Sequence, residues 1–485
     1  MKTVRKTDSL CPKCLKKIPA VLIEKSEKIL MRKKCPKHGE FEDVYYGDSA
    51  LYKKYMAYFR TGKGVEYPQK KEKKGCPFDC GLCENHKSST VLANLDVTNA
   101  CNFNCPICFA NASNSGYLYQ PEMEEIEAMM DTLRQQKPPC AAIQFSGGEP
   151  TVRPDLPEII RTAKEKGFKQ IMIATNGKVI AEKPKYSEML KSLGVSTIYL
   201  QFDGITPEPY IQARGFDALS IKKEAIRNLR RSGGPGIVLV PTLVKGVNDN
   251  QIGSMIRFAQ ENMDIVRGVN FQPVSFTGRI SREQLKQQRI TIPDMLGLIE
   301  EQLNGEITRN DFKTIPCLVP FMDFLKRTQG PSEYPELSTH PVCGVGTYVF
   351  KNDFKLVPIT RIINVRELLS LVSEVQKIEK SEIATRILPH LPKLVKVSGL
   401  SDSTPLLDLL KDIVVTGSFQ SAARFHRELL FIGSMHFMDP YNFDCERVER
   451  CCIHYVVPDG RVIPFCAYNT LHREKVEKDF SKSYQ

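Results

Sequence analysis

No apolar run in these 485 residues approaches the roughly 18 that a membrane-spanning helix needs, so an integral helical membrane protein is excluded. The opening MKTVRKTDSLCPKC is basic but has no apolar h-region, so no secretory leader is expected. No internal repeat stands out beyond cysteine spacings, and no low-complexity tract beyond the lysines near 70–74. Sixteen cysteines in a chain this long are too sparse for a secreted disulfide scaffold. With 41% hydrophobic and 26% charged residues, the composition also excludes a disordered chain. What remains is a globular protein of two to four domains, at roughly 150 residues each.

Two properties are present in excess: cysteine, and a net charge of +12. The charge is local. Residues 1–74 hold 20 Lys+Arg against 9 Asp+Glu, and the rest of the chain is nearly neutral. Such a segment suits a phosphate-bearing partner, nucleic acid or an anionic membrane surface, or it is simply a solvated lysine-rich face.

The cysteines are clustered, as in chains that use them for metal or redox chemistry. Cys11 and Cys14 form one knuckle and Cys35 and His38 a second, separated by the β-like AVLIEKSEKILMRK. Together they offer a tetrahedral site for Zn or a rubredoxin-like Fe. Cys76-x3-Cys80-x2-Cys83 and Cys101-x3-Cys105-x2-Cys108 share one spacing, and Cys445, Cys451, Cys452 and Cys466 gather near the end. Cys317 and Cys343 stand alone, as does Cys140, which reads as a buried core thiol.

From residue 91 the pattern alternates strand and helix. Apolar runs at 91–98, 140–146, 168–175, 195–202, 236–244 and 265–274 are separated by helices with three-to-four apolar spacing. This predicts an α/β fold built on a partial (β/α)6 TIM-type barrel, with chemistry at the C-terminal strand ends. Units are expected at 1–60 (metal knuckle), 61–90 (iron–sulfur segment), 91–310 (barrel) and 311–485 (helices and a second cysteine-rich domain). Residues 363–440 read as amphipathic helix, either core packing or the wall of an apolar substrate channel.

Polar motifs sit at successive strand ends. Cys101-Asn-Phe-Asn-Cys105-Pro-Ile-Cys108 follows the first strand, with Phe109 next. Gly147-Gly148-Glu149 ends the second, Asn176 the third, Gln201 and Asp203 the fourth, and Asn248 follows the fifth. Three thiolates within eight residues can ligate three irons of a 4Fe–4S cluster and leave the fourth iron open. These motifs resemble the radical S-adenosylmethionine (SAM) superfamily. The resemblance implies a SAM-binding cluster on Cys101, Cys105 and Cys108, and cofactor contacts from Phe109, Gly147, Gly148, Glu149, Asn176, Gln201, Asp203 and Asn248.

Cys76, Cys80 and Cys83 lack a preceding strand and read as an auxiliary-cluster set, with His86 or the distant Cys317 as candidate fourth ligand. Cys451, Cys452 and Cys466, completed by Cys343 or Cys445, read as a second. The order of these parts resembles the archaeal tetraether lipid synthase (Tes) family. That resemblance implies coupling of the terminal methyl carbons of two isoprenoid tails of archaeol phospholipids. It also implies a low-potential donor such as ferredoxin, and a cytoplasmic enzyme with at most peripheral membrane contact. The rival readings are a peptide- or RNA-modifying radical SAM enzyme; Tyr45, Tyr46, Tyr52, Tyr55, Tyr58 and Phe59 among the basic residues leave RNA open.

Overall fold

The computed structural model of the chain describes residues 2–482 apart from 281–282, 330–335, 353–354 and most of 375–426, where only 385, 388–394, 408, 412 and 424 are described. Strands Lys2–Leu10, Lys17–Lys25, Lys28–Cys35 and Gly39–Tyr46 (β1–β4) pair antiparallel in chain order. Alternation drives the register: Ile29, Met31, Lys33 and Cys35 are the buried face of β3. Ser26 and Glu27 close the β2–β3 hairpin at φ 49° and 59°, the left-handed pair that a two-residue type I′ turn requires. Helix α1 (Ser49–Met56) follows, its N-terminus capped by Asp48 Oδ1 accepting from Leu51 N at 2.8 Å.

Two basic residues of this ribbon turn into the protein, while most of its lysines stay exposed. Arg5 pairs with Asp444 and Glu446, and Lys33 is buried, donating to Ser9 Oγ at 2.9 Å and the Pro440 carbonyl at 2.7 Å. Tyr45 Oη also donates to Asp444, at 2.6 Å. These contacts seat the ribbon on the C-terminal part of the chain.

The six expected barrel strands are β5 (Leu92–Thr98), β6 (Ala142–Gly147), β7 (Gln170–Thr175), β8 (Thr197–Gln201), β9 (Gly236–Val240) and β10 (Val266–Pro273). They pair in that order, all parallel. Helices α2 (Met123–Arg134), α3 (Leu156–Glu165), α4 (Pro184–Ser192), α5 (Leu219–Arg231) and α6 (Ile252–Glu261) lie between them. Along α3, Leu156, Ile159, Ile160 and Ala163 are buried, an apolar stripe facing the sheet. Each large side chain so buried contributes about 1.5–3 kcal/mol relative to exposure.

The C-terminal part extends the sheet beyond the expected six strands. β12 (Leu430–Met435) joins β10 in parallel and β13 (Ile453–Val456) joins β5 in parallel; β11 (Gly344–Asn352) caps β12 antiparallel. The stretch 430–433, read from sequence as the end of a helix, is therefore strand. Short apolar runs such as LLFIG carry no periodicity that separates the two, and the open edge of β10 decides the outcome. Val365–Glu374 is helical as expected, while most of the remaining channel-wall candidate lies outside the described residues. Among the described residues no helix is long and apolar enough to cross a membrane.

Candidate active site and metal centres

The loop holding Cys101, Cys105 and Cys108 leaves the end of β5 and is pinned from three directions. Gly147 and Gly148 bring the end of β6 against its backbone: Gly148 N donates to Thr98 O at 2.7 Å and Glu149 N to Ala100 O at 2.9 Å. Gly147 has φ +124°, and a Cβ there would sit 2.1 Å from the Thr98 oxygen; one on Gly148 would sit 2.2 Å from the Ala100 oxygen. No side chain fits at either position. Gly148→Ala is expected to displace the loop and lower the iron bound per chain, measured by metal analysis after anaerobic purification.

Arg214 makes the second link. It is buried and bidentate to Asp203, with Nε–Oδ2 at 2.7 Å and Nη2–Oδ1 at 2.8 Å, and its Nη1 donates to the Ile107 carbonyl at 2.9 Å. Asn248 holds the adjoining turn, donating to Asp203 O at 3.0 Å and Thr242 O at 2.8 Å. The third link follows β10, where Arg279 N donates to Cys108 O at 2.9 Å and Arg279 Nη2 to Ala112 O at 3.1 Å.

Glu149 is buried and saturated. Oε1 accepts from Thr151 Oγ1 at 2.6 Å and Thr175 Oγ1 at 2.7 Å, and Oε2 from Asn176 N at 2.7 Å. Burial nonetheless pushes its carboxyl above the usual range. Asn176 Nδ2 points at the cysteine loop, 2.7 Å from Asn102 Oδ1 and 4.0 Å from Cys101 Sγ. Gln201 Oε1 accepts from Lys222 Nζ at 2.6 Å; the same ammonium donates to Asn176 O at 2.5 Å and lies 5.1 Å from the Phe103 ring centre. Burial lowers Lys222 to about 7. Phe109 is partly exposed beside the loop, with the Arg473 guanidinium 5.8 Å from its ring.

Lys222, Arg214, Arg279 and Arg473 were not singled out from sequence. One signal was readable for Lys222: it occupies the apolar stripe of α5 with Leu219, Ala225, Ile226 and Leu229, where a lysine needs a polar partner.

Cys101, Cys105 and Cys108 fit a 4Fe–4S cluster. All three are free thiols, burial pushes Cys101 up to about 12 and raises Cys105, and such groups become thiolates when metal charge is at hand. The other cysteines divide into two groups. Cys76, Cys80 and Cys83 line one cavity, and Cys76 Sγ lies 3.8 Å from the Cys445 carbonyl; hydrogen bonding to Cys445 and burial raise the Cys76 thiol. His86 lines the same cavity, with its Nε2 2.8 Å from Cys451 O and 3.1 Å from His454 Nε2. Cys317 is buried near Lys313 and Tyr55, and no described contact joins it to another cysteine.

The second group is Cys343, Cys451, Cys452 and Cys466. Cys343 and Cys466 raise the buried Arg447 guanidinium, whose Nε donates to Cys343 Sγ at 3.3 Å. Cys451 is pushed up by burial and by all three of the others. Cys140 is a core thiol, donating to Ala142 O at 3.2 Å.

The N-terminal knuckle has a different geometry. Cys11, Cys14, Cys35 and His38 bring their ligand atoms within 4.8 Å of one another, with Cys14–Cys35 Sγ at 3.9 Å and His38 Nδ1 at 3.4 and 3.5 Å from Cys11 and Cys35. A tetrahedron with bonds of about 2.3 Å to sulfur and about 2.0 Å to nitrogen has edges of about 3.8 and 3.5 Å. One ion fits. Cys14→Ser is expected to remove one metal ion per chain while leaving the iron content of the barrel intact, measured by elemental analysis.

Comparison with known proteins agrees with this layout. Residues 95–259 match the radical SAM superfamily, and residues 3–47 match the HMPTM N-terminal zinc ribbon domain. The zinc ribbon takes the place of the rubredoxin-like alternative. Among solved structures, methylornithine synthase aligns with 45% of this chain and 64% of its own at TM-score 0.35 and 18% identity. A probable GTP 3′,8-cyclase of Methanothermobacter thermautotrophicus is 28% identical over 37% of this chain and 56% of its own. The 7,8-dihydro-6-hydroxymethylpterin dimethyltransferase of Methanocaldococcus jannaschii is 52% identical over 98% of this chain and 96% of its own. That relationship, to an enzyme named for a pterin, overturns the tetraether lipid synthase reading, and with it the coupling of archaeol tails. The chain is a radical SAM enzyme and belongs to the family of the Methanocaldococcus pterin dimethyltransferase.

Proposed function

We propose that the chain adds methyl groups to a reduced pterin of the 7,8-dihydro-6-hydroxymethylpterin type. The observation that carries this reading is the 52% identity to the Methanocaldococcus enzyme across 98% of the chain. In this reading Cys101, Cys105 and Cys108 hold the SAM-binding cluster, and Phe109, Gly147, Gly148, Glu149, Asn176, Gln201, Asp203 and Asn248 build the pocket around it. Cys76, Cys80, Cys83 and Cys445 hold one auxiliary cluster, and Cys343, Cys451, Cys452 and Cys466 a second. Cys11, Cys14, Cys35 and His38 hold zinc, and a low-potential donor such as ferredoxin delivers electrons.

A 4Fe–4S cluster with one open iron supplies reductive cleavage of SAM to a 5′-deoxyadenosyl radical, a reagent for carbon–hydrogen bonds that no acid or base can activate. The chain's own residues supply position. Arg214 and Arg279 hold the cysteine loop, and Glu149 fixes the turn that presents Asn176. Lys222 orients Gln201 through its amide oxygen. Because Glu149 is saturated by its neighbours, its role is to shape the pocket, and the Asn176 and Gln201 amides are likewise held, by Asn102 and Lys178 and by Lys222 and Asp203.

The test is anaerobic incubation of reduced, iron-loaded protein with SAM and 7,8-dihydro-6-hydroxymethylpterin. The expected product is a pterin heavier by one or two methyl substitutions in the mass spectrum. Unchanged pterin alongside cleaved SAM would overturn the reading.

A further inference from the structure

The barrel wall holds polar groups that the SAM machinery does not use. Along β5, Ala93, Leu95 and Val97 face the helices, so Asn94 and Asp96 face the other side of the sheet, into the barrel. The register pairs Asn94 with Gln144 on β6 and with Tyr455 on β13. On β10, Val269 and Phe271 belong to the helix-side core and Asn270 to the inner face. Asn94 and Asn270 are each only 2% exposed.

Asn94 and Gln144 form a linked pair. Gln144 Nε2 donates to Asn94 Oδ1 at 2.8 Å, which leaves Asn94 Nδ2 and Gln144 Oε1 buried with no hydrogen-bond partner among the described residues. Whichever way the two amides are turned, one donor and one acceptor remain side by side. On the wall five strands away, both Asn270 Oδ1 and Nδ2 are buried and unpartnered as well. Buried amides without partners are costly unless something completes them. By contrast Asp96, one layer nearer the strand ends, is satisfied by Ser146 Oγ at 2.7 Å and Arg473 Nη1 at 2.7 Å. On the inner face of β5 the open hydrogen-bonding capacity therefore lies at Asn94 and not at Asp96.

We propose that Asn94 and Gln144 recognise the lactam edge of the substrate's pyrimidine ring, the 4-carbonyl and the N3–H, and that Asn270 takes the 2-amino and N1 edge. This rests on the pterin reading above and names the residues that would select that ring. A neutral lactam presents one acceptor and one donor side by side, which is what the amide pair leaves open. Carboxylates at these positions would instead select a cationic amidine. Asn94 lies four residues below Thr98, roughly 13 Å at strand rise. A bicyclic ring held by its pyrimidine edge there directs its pyrazine ring and hydroxymethyl arm toward the cysteine loop.

Equilibrium binding to anaerobic, iron-loaded, full-length protein tests this, with 7,8-dihydro-6-hydroxymethylpterin and its 3-methyl derivative as probes. N3-methylation removes the donor and adds bulk at the proposed contact, so the unaltered protein is expected to bind the derivative at least about tenfold more weakly. In Gln144→Leu the parent pterin is expected to weaken about 10- to 100-fold, and the gap between the two probes to narrow to within about threefold. Equal affinity of the unaltered protein for both probes would overturn this inference while leaving the pterin reading in place. Failure of the unaltered protein to bind either probe would overturn both. Should Gln144→Leu not fold, the comparison of the two probes on the unaltered protein still decides the matter.

Discussion

Cys101→Ala is expected to abolish cleavage of SAM to 5′-deoxyadenosine while zinc and the iron of the C-terminal cysteine groups stay bound. Cys101 is the first thiol of the loop, and its sulfur already sits where Phe103 N donates to it, at 3.4 Å. Losing one of three local ligands leaves the cluster no replacement. The other cysteine-rich groups take their thiols from other segments, Cys76–Cys83, Cys343 and residues 445–466. Chromatography for 5′-deoxyadenosine and iron analysis on the same sample separate the two outcomes. Retained cleavage would remove Cys101 from the SAM-binding cluster.

Arg214→Met is expected to be the second most damaging change. The guanidinium is buried with a bidentate carboxylate partner, and Asp203 is fully inaccessible. Removing one partner strands a buried charge, which costs about 3–5 kcal/mol. It also releases the Ile107 carbonyl, and so the segment between Cys105 and Cys108. Both the denaturation midpoint and the iron content should fall. Arg214→Lys is expected to lie between, since it keeps the charge but loses the planar fork. An unchanged midpoint with full iron in Arg214→Met would show that the pair does not hold the loop.

The sequence carried the cofactor chemistry clearly because that chemistry imposes spacing. Three thiols at x3 and x2 after a strand suit three irons of one cluster, and Gly147-Gly148 at the next strand end is dictated by its close contacts with Thr98 and Ala100. The four-ligand knuckle was legible for the same reason. The partition of the remaining cysteines was legible only in part: Cys343 with Cys451, Cys452 and Cys466 is one of the two sets the sequence offered, whereas Cys76 meets the Cys445 carbonyl across 369 residues, a contact that only the fold creates. Strands β12 and β13 were missed because they are short apolar runs whose identity is set by the open edges of β10 and β5. Charge counts do not reveal pairing: within the basic N-terminal segment Arg5 and Lys33 face the protein, while most of its lysines are exposed. The substrate was misread because cluster order reports on SAM chemistry and not on what is alkylated. Residues that would discriminate substrates, such as Asn94 and Gln144, look in sequence like ordinary polar positions of a strand.

The most direct measurement is the rate of 5′-deoxyadenosine release from reduced protein with and without 7,8-dihydro-6-hydroxymethylpterin. A pterin that completes the buried amides and occupies the barrel should accelerate SAM cleavage, and the recovered pterin should carry new methyl groups. An identical rate in its absence, with the pterin recovered unaltered, would contradict the assignment of a pterin to this barrel.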